Sequence, residues 1–432
     1  MVKLFKDISI DCNYYIPSRT KEGYGLNNAI VNNAHNNGFD CILCVDNGVA
    51  ASSQIEYAKS LGIETYIIDH HEYACEPKCI GFIHPNILGE DYNDMCAGGL
   101  CSLVSNSFRY DELTTVLGGI ATLADMVSVL GFNRYLLDET IKILSIKRIT
   151  PINLLLGSSE ITYTNIQYNV IPKINSVSRL DDLLNVNYVV KYLLSDGPET
   201  HDYFTKIETI NNSRKELSTK MFNKARNIVD SSKNIITIFD EEFKEGICGL
   251  IANKLVEEFN KPAIVFARNG NELKGSGRCI PGFNLYEYIS NIKEILSTFG
   301  GHEQAIGLSL DEDKYNSLLQ YIESNPITIN ETYKDVIMLD DNNLSEDLLS
   351  ELNSLFPFGT NFKEPLFGIN SSKVSNSYLV SSRYPKFDIN DSISAISFNQ
   401  KHINKMFNYM IGHIKKDSYK PNGISFIIED LI

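Results

Sequence analysis

Between residue 41 and about residue 130, the sequence alternates short apolar runs with amphipathic helical stretches. This alternation predicts β-strands joined by α-helices, an arrangement typical of a parallel α/β sheet. The run CILCVD at residues 41–46 predicts a buried strand, and TYIIDHH at residues 65–71 predicts the next one. Because ligands of such sheets bind beyond the carboxyl ends of the strands, the sequence predicts a functional site where these two runs end.

The rest of the chain predicts further domains, since 432 residues exceed the usual size of one compact core. A polar stretch at residues 198–232 carries apolar side chains at helical spacing and predicts a long connecting helix. A second, smaller α/β lobe is predicted after it, opening with the strand NIITIFD. Beyond about residue 330, short strands such as KDVIML and GISFIIEDLI dominate, which predicts a small β-barrel or sandwich.

The formal net charge of −15 at pH 7 argues against general, charge-driven binding to nucleic acid. Any polyanion must therefore be held at a local basic patch or through metal ions. The sequence has no apolar run long enough to cross a bilayer, and its first residues carry charges where a secretory signal needs an apolar core. We therefore expect a cytoplasmic protein that has no membrane partner.

The cysteines give no sign of a disulfide framework, because there are nine of them and they are scattered along the chain. Cys41 and Cys44 form a CxxC motif, but the motif lies within an apolar strand, where alternate side chains point to opposite faces. We therefore expect buried free thiols at both positions, and zinc is not favoured.

A cluster of acids and imidazoles is predicted at the strand ends. Asp69, His70 and His71 place three possible ligands or proton carriers at one sheet edge, although a His–His pair alone is more often a surface or capping feature. Asp46 ends the preceding strand, and Asp125 lies in a small-residue, helix-like stretch where an isolated acid is poorly solvated. A helix cap or a paired buried acid is the alternative for Asp125. Three acids with imidazole favour Mn²⁺ or Mg²⁺, and two such ions are the usual hydrolytic arrangement.

Two glycine-rich motifs in the second lobe predict contacts with phosphate. In KGSGR at residues 274–278 and FGGH at residues 299–302, glycines let backbone amides approach an anion closely. Arg278 adds a planar charged donor that suits phosphate. Tight turns between strand and helix are the alternative for both motifs.

Taken in order, these segments resemble the DHH phosphoesterase superfamily, and specifically the RecJ single-strand-specific exonucleases. The resemblance covers nearly the whole chain. The segments that carry it are YYIPSRTKEGYGLN (14–27), CVDNGVAASSQIEYAKSLGIETYIIDHHE (44–72), ATLADMVSV (121–129), INSVSRLDD (174–182), INNSRKE (210–216), EGICGLIANKLVEEFNKPAIVFA (245–267), KGSGRCIPGFNLYEYI (274–289), FGGHEQAIGLSL (299–310) and PFGTNFKEPLF (357–367).

The resemblance implies a particular α/β architecture and reaction. A DHH-type parallel-sheet lobe at 1–195 would be followed by a linker helix at 196–232, a DHH-associated lobe at 233–328 and an OB-like β-barrel at 329–432. The implied reaction is metal-dependent, 5′-to-3′ hydrolysis of single-stranded DNA to mononucleotides, in DNA repair and recombination. A single-strand-binding protein or a helicase is an implied partner.

The resemblance also implies a role for each matching residue. Asp46 would bridge the metals, His70 and Asp125 would be ligands, His71 would contact or protonate the scissile phosphate, and Asp69 would orient its neighbours. The residues implied to meet the phosphates of the strand are Arg19, Asn175, Arg179, Arg278, Gly300, Gly301 and His302.

One motif of the family has no match. An Asp-x-Asp pair is expected upstream of Tyr14, and the sequence contains no such pair there. Three explanations are open: a start placed too late, an upstream fragment that supplies the missing strand, or a shortened and inactive relative. Two other functions are therefore weighed beside the exonuclease, namely a catalytically impaired single-strand-binding module and a phosphodiesterase for short oligonucleotides.

Overall fold

The computed structural model describes residues 1–18, 21–330, 333–340, 343–390, 392–417 and 423–432. Arg19, one of the predicted phosphate contacts, lies outside these ranges. The chain divides into two compact units. The first comprises Met1–Val127 and Gly131–Thr332, and the second comprises Ser128–Leu130 and Tyr333–Ile432.

The first unit opens with the predicted parallel α/β sheet. Its elements are α1 (Val2–Asp7), α2 (Asn28–Asn36), β1 (Cys41–Val45), α3 (Ser52–Ser60), β2 (Glu64–Ile68), β3 (Gly81–Ile83) and α4 (Pro85–Leu88). The strands lie in the order β1-β2-β3, and both neighbouring pairs are parallel. Ile55 and Ala58 on α3 are buried against the sheet, and Gly62 at φ +79° reverses the chain after the helix. The prediction of a parallel sheet is confirmed.

The prediction that both thiols of the CxxC motif are buried is wrong for Cys41. Cys44 is buried, whereas Cys41 is exposed, and both are free. Side chains three positions apart on a strand point to opposite faces, and β1 lies at the edge of its sheet. Only one face of β1 is therefore covered at these positions.

Seven helices follow the sheet in sequence, and the first of them packs against β1 and β2. They are α5 (Ala97–Phe108), α6 (Glu112–Ala124), α7 (Gly131–Ile146), α8 (Thr150–Leu156), α9 (Tyr163–Asn165), α10 (Ile171–Arg179) and α11 (Tyr188–Leu193). Glycines bring α6 close to both neighbours, because a Cβ at Gly118 would lie 2.5 Å from Ser102 on α5 and one at Gly119 would lie 2.0 Å from Thr140 on α7. The close packing fixes the end of α6, where Asp125 follows.

The predicted long helix is present as α12 (Glu199–Ile228). Ile207, Ile210, Met221 and Ala225 are buried along it at helical spacing. These side chains belong to one hydrophobic core that also includes residues of α6, α8, α10, β4, α13 and β5, of which the last three belong to the second lobe. The helix therefore lies inside a core shared by both lobes.

The second lobe is also an α/β structure, as predicted. Its elements are β4 (Ile236–Phe239), α13 (Glu245–Phe259), β5 (Ala263–Asn269), β6 (Glu272–Arg278), α14 (Leu285–Ser290), β7 (Thr298–His302), β8 (Ala305–Asp311) and α15 (Tyr315–Ser324). The strand order is β4-β5-β6-β8-β7, with β4 and β5 parallel and the other pairs antiparallel.

The two glycine-rich motifs form strands of this sheet, so the alternative that they are tight turns is wrong. KGSGR lies in β6 and FGGH in β7. A Cβ at Gly275 would lie 2.5 Å from the ring of Phe266, and one at Gly277 would lie 2.5 Å from the side chain of Ile306. Glycine is needed here because neighbouring side chains fill the space beside the strand.

The second unit is a mixed β-sheet with a helix packed on it. Its elements are β9 (Val336–Met338), α16 (Glu346–Ser354), β10 (Leu366–Asn370), β11 (Asn376–Val380), β12 (Tyr384–Asp388), β13 (Ile393–Ser397), β14 (Tyr409–Lys416) and β15 (Ile424–Leu431). Within the described ranges the strand order is β11-β12-β13-β15-β14-β10-β9. Leu349 and Leu352 of α16, a helix that the fading helical pattern did not predict, are buried in the core of this unit. None of the described helices combines the length and the hydropathy that a membrane-spanning segment requires.

Candidate metal centre and phosphate-binding face

The three strands of the first sheet end at the same level. Val45 pairs with Ile68, and Ile68 pairs with Ile83. The pattern continues one residue further, because the amide of Asp46 donates to the Ile68 carbonyl at 2.9 Å and the amide of Asp69 donates to the Ile83 carbonyl at 3.1 Å. The residues that follow the strands therefore share one edge of the sheet.

Asp46, His70 and Asp125 come together at this edge, and we call them the metal centre. The Nε2 atom of His70 lies 3.3 Å from Oδ1 of Asp46 and 3.3 Å from Oδ2 of Asp125. Asp46 follows β1, His70 follows β2, and Asp125 is the C-cap residue of α6. Ligand atoms of His71, His70 and Asp46 also lie within 4.8 Å of one another. Segments far apart in sequence thus place two carboxylates and imidazole nitrogens around one point.

The backbone at Asp46 is strained. Its φ of +62° lies in the left-handed region, which residues other than glycine adopt rarely. The hydroxyl of Tyr24 donates to the Asp46 carbonyl and lies 3.2 Å from the Asp46 carboxylate, so both ends of the residue are held. Strain of this kind is concentrated at functional sites, where the surrounding contacts fix a particular geometry.

The electrostatics of the metal centre suit a bound cation. Burial raises the pKa of Asp125, and the nearby Asp46 carboxylate raises it further while His70 lowers it. Asp125 also lies at the carboxyl end of α6, where the helix dipole disfavours a negative charge. The hydrogen bond to Asp46 raises the pKa of His70. A divalent cation bound here would relieve the repulsion between the two carboxylates, and oxygen and imidazole donors fit Mn²⁺ and Mg²⁺.

Asp69 and His71 form a second pair beside the metal centre. Asp69 is fully buried and accepts hydrogen bonds from the amides of Val49 at 3.2 Å and His70 at 2.8 Å. Its Oδ1 lies 2.7 Å from Nδ1 of His71. Burial raises the pKa of Asp69, but the hydrogen bonds from His71 and from these amides outweigh it and leave the pKa below its usual value. The same hydrogen bond raises the pKa of His71, so Asp69 orients this imidazole and favours its protonated form.

Two residues at this edge were not singled out from the sequence, namely Tyr24 and His84. The ring of Tyr24 meets that of His71 edge to face, with centroids 6.2 Å apart. Burial and the charge of Asp46 raise the pKa of Tyr24, so its hydroxyl remains a proton donor. In the sequence, Tyr24 is marked only by the glycines on either side of it, Gly23 and Gly25. Both glycines have positive φ in the structure.

Three of the predicted phosphate contacts of the second lobe, Arg278, Gly300 and His302, share one face of the sheet. Ser276 pairs with Gly307, which pairs with Gly300, and Arg278 pairs with Ala305, which pairs with His302. Residues directly opposite each other on neighbouring strands point to the same side. We call this surface the phosphate face and define it by the side of β6, β8 and β7 that carries Ser276, Arg278, Gly300, His302 and Gly307.

The phosphate face has glycines without side chains at its centre and the cationic Arg278 at its end. A Cβ at Gly300 or Gly307 would meet open space, so the backbone is accessible there. Gly301, by contrast, has φ +133°, and a Cβ on it would lie 2.3 Å from the Ala305 carbonyl oxygen. Gly300 thus leaves the surface open, whereas Gly301 is required by the backbone.

The first two turns of α13 meet arginines from both lobes. Nη1 of Arg179 donates to the Gly246 carbonyl at 3.2 Å. A Cβ at Gly249 would lie 3.0 Å from both Nη2 of Arg278 and Oγ of Ser276. Asn175 lies one turn before Arg179 on α10 and is half-buried. The structure therefore gathers these predicted phosphate contacts around the amino-terminal end of one helix, where anions are favoured.

Sequence profiles of three domain families match the chain in order. Residues 1–124 match the N-terminal domain of the DHH family, residues 232–325 match the DHHA1 domain, and residues 337–429 match the RecJ OB domain.

Curated relatives and solved structures are similar along most of the chain. The single-stranded-DNA-specific exonuclease RecJ of Bacillus subtilis (strain 168) is 30% identical over 385 residues, which cover 83% of this chain and 48% of the relative. The protein of the same name from Escherichia coli (strain K12) is 27% identical over 419 residues, covering 83% of this chain and 70% of the relative. The chain thus spans about half the length of the first of these relatives.

The fold is shared with solved RecJ structures. The structure of RecJ in complex with Mn²⁺ from Thermus thermophilus superposes with a TM-score of 0.86 at 20% identity, covering 100% of this chain and 66% of that one. An exonuclease RecJ bound to manganese gives a TM-score of 0.63 at 23% identity, covering 75% of this chain and 84% of that one. The chain therefore carries the DHH, DHHA1 and RecJ OB domains in sequence order, and it is RecJ-like in sequence and fold.

Proposed function

We propose that this chain is a metal-dependent exonuclease that hydrolyses the phosphodiester bonds of single-stranded DNA in the 5′-to-3′ direction. The observation that carries the proposal is the convergence of Asp46, His70 and Asp125, with both carboxylates 3.3 Å from the His70 imidazole. The names of the relatives, which describe single-stranded-DNA-specific exonucleases, support the substrate class.

Asp46, His70 and Asp125 would hold Mn²⁺ or Mg²⁺. When bound, the metal supplies a water of lowered pKa as nucleophile and neutralises charge on the phosphate. Thermus thermophilus RecJ has been solved in complex with Mn²⁺ and, in another structure, with Mg²⁺, which supports a divalent ion as the cofactor. His71 has its Nδ1 atom turned to Asp69, so its Nε2 atom is the one left to hold a phosphate oxygen or to protonate the leaving oxygen.

The phosphate face would hold the strand while its end is cleaved. Arg278 and Arg179 would pair with phosphate oxygens beside the amino-terminal end of α13, and His302 and Asn175 would add further donors. Gly300 would allow the sugar-phosphate chain to approach the sheet closely, and Gly301, also a predicted contact, would hold the backbone that presents Gly300. Arg19 is predicted to join this group. The second unit would bind the unpaired strand further along, as OB domains do.

The cellular part of the proposal follows from the resemblance. Work in DNA repair or recombination in the cytoplasm, together with a helicase or a single-strand-binding protein, is the corresponding prediction.

The proposal is tested by incubating the purified chain with Mn²⁺ and labelled DNA. We expect mononucleotides from a 5′-labelled single strand, delayed release from a 3′-labelled one, little cleavage of blunt duplex, and no cleavage after chelation by EDTA. Asp46→Asn should abolish the activity, whereas Glu56→Gln, which alters an exposed acid on α3 of the same lobe, should preserve it.

The alternatives give different results in the same assay. Faster turnover of a dinucleotide than of a long strand would favour a phosphodiesterase for short oligonucleotides. DNA binding that is unchanged by EDTA and by Asp46→Ala, without any cleavage even when an Asp-x-Asp segment is added upstream, would favour a binding module.

A further inference from the structure

His84 lies at the same sheet edge as the metal centre but has no assigned role. It directly follows β3, whose last residue, Ile83, accepts a hydrogen bond from the amide of Asp69. His84 thus occupies the position after β3 that Asp69 occupies after β2. Only 2% of its surface is exposed, so its two ring nitrogens depend on neighbours for hydrogen bonds.

Both ring nitrogens of His84 have backbone partners. The amide of Asn86 donates to Nδ1 at 3.2 Å, which makes His84 the N-cap of α4. Because Nδ1 accepts, the proton of the neutral ring must lie on Nε2. Nε2 lies 3.1 Å from the carbonyl oxygen of His71 and therefore donates to it. The contacts select one tautomer and give each nitrogen a separate task.

Aromatic side chains fix the plane of this ring. Tyr73 meets it edge to face with centroids 4.9 Å apart, and the ring of Phe82 lies at 5.4 Å. His84 has no carboxylate partner among the described residues, so its ion-pairing differs from that of His70 and His71. Its contacts serve to hold a backbone carbonyl rather than a charge.

His84 binds the backbone carbonyl of His71, the residue whose imidazole is proposed to meet the scissile phosphate. Asp69 already binds His71 twice, through the His71 amide at 3.3 Å and through Nδ1 at 2.7 Å. These two bonds leave the peptide group after His71 unrestrained. The bond from His84 adds a third point of attachment on the opposite side of the residue.

We propose that His84 is a positioning residue, which fixes the His71 carbonyl and thereby the direction in which the His71 imidazole points. The inference rests on the proposed function, since it concerns the geometry of the same site. Substitution of a residue that orients a reacting group without touching the substrate typically lowers activity by about 10- to 100-fold. Loss of the bond from His84 should therefore lower kcat by about this factor and leave KM nearly unchanged.

Three substitutions separate the hydrogen bond to His71 from the other contacts of His84. His84→Phe keeps an aromatic ring but loses both hydrogen bonds. His84→Ser can still cap α4 but cannot reach His71, and His84→Gln keeps an N–H donor of similar reach. We expect His84→Phe and His84→Ser to lose kcat, and His84→Gln to stay within about threefold of the wild type. His35→Ala, at an exposed histidine on α2, is the matched control.

The pattern of the three variants decides the inference. Thermal unfolding of each variant is measured first, so that activity is compared between folded proteins. If His84→Phe and His84→Ser keep kcat within about twofold, or if all three variants lose it alike, His84 acts only through capping or packing and the inference is overturned.

A second measurement does not depend on activity. The protein has eight histidines, so selective ¹⁵N labelling gives few imidazole signals. The His71 signals should shift in His84→Phe and His84→Ser but not in His84→Gln, with neither metal nor DNA present. Unchanged His71 signals in all variants would overturn the inference, whereas an inactive wild type with the expected shifts would overturn only the proposed function.

Discussion

The two α/β lobes use different parts of their sheets for their polar residues. In the first lobe, Asp46 and Asp69 lie beyond the ends of parallel strands, where the chain turns. In the second lobe, Ser276 and Arg278 lie within a strand and point out from one face. A site beyond strand ends is held by many specific contacts, such as the hydrogen bond from Tyr24 to the strained backbone of Asp46. On a strand face, by contrast, the register of the sheet places residues of neighbouring strands side by side, so the surface extends across several strands.

This difference suggests a division of labour. The edge of the first sheet fixes a few atoms closely, as bond cleavage requires. The face of the second sheet offers an open, partly cationic surface, which suits a sugar-phosphate chain with a repeating structure. Substitutions at the edge should therefore change the rate of cleavage, and those on the face should change binding.

After Asp46→Asn, the largest effect is expected from Asp69→Asn, also at the edge of the first sheet. Loss of this carboxylate removes the group that orients His71 and raises its pKa. We expect kcat to fall by about 10³-fold, in the range typical of general acid–base residues. Because the protonated form of His71 is favoured by Asp69, the alkaline limb of the kcat profile should also move to lower pH. A profile with reduced height but unchanged limbs would show that His71 does not act as the acid.

Metal binding at the edge should stabilise the folded protein. Mn²⁺ bound to the folded state alone adds about 2.7 kcal/mol to the free energy of unfolding at a concentration of 100 times Kd. We expect Mn²⁺ to raise the unfolding temperature of the wild type, and Asp125→Asn to reduce this increase. An equal increase in both proteins would place the ion elsewhere.

On the face, Arg278→Ala should weaken binding by about 10- to 100-fold, since hydrogen bonds to charged groups contribute about 1.5–3 kcal/mol. KM should rise while kcat changes little, and the dependence of DNA affinity on salt concentration should decrease by about one phosphate contact. A large fall in kcat with unchanged KM would contradict the division of labour.

Two glycines of neighbouring strands, Gly301 on β7 and Gly307 on β8, should behave in opposite ways. Gly301→Ala should lower the free energy of unfolding by about 1–3 kcal/mol, because φ is +133° and the new Cβ meets the Ala305 carbonyl. Gly307→Ala enters open space, so stability should be kept or increase by less than about 1 kcal/mol. Chemical denaturation measures both changes, and equal losses would show that Gly307 is not an open position.

The smallest effect is expected at the ion pair between Lys244 and Asp182, whose charged atoms lie 2.7 Å apart. Both side chains are more than a third exposed, so solvent screens the interaction. Lys244→Gln should change the free energy of unfolding by less than about 0.5 kcal/mol and leave both kcat and KM unchanged. A clear rise in KM would assign Lys244 to the phosphate contacts.

The same difference explains what could be predicted from the sequence. Acids and histidines that follow apolar runs are visible in the sequence, and a parallel sheet brings strand ends together, so the grouping of Asp46, Asp69 and His70 could be predicted. Asp125 could be included because a carboxylate is unusual in its small-residue helix. His84 could not, since HPN before a short helix is typical of an ordinary cap and only the register shows that it reaches His71.

The strand positions of the second lobe were harder to predict. Glycines in KGSGR indicate turns by local preference, whereas tertiary packing against Phe266 and Ile306 makes them part of a strand. The burial of Cys41 was predicted wrongly because a run of apolar residues does not show which face of a strand is covered by other elements. The conformation of KGSGR and the exposure of Cys41 both depend on neighbours from distant parts of the chain, which the local sequence does not reveal.

The long helix α12 has a consequence for how DNA could enter. It is 30 residues long, about 45 Å, and its buried side chains lie in a single core with residues of both lobes. Opening a hinge between the lobes would expose this core to water, at a high cost in free energy. The two lobes should therefore melt in one calorimetric transition, and DNA would have to bind without a hinge motion between them.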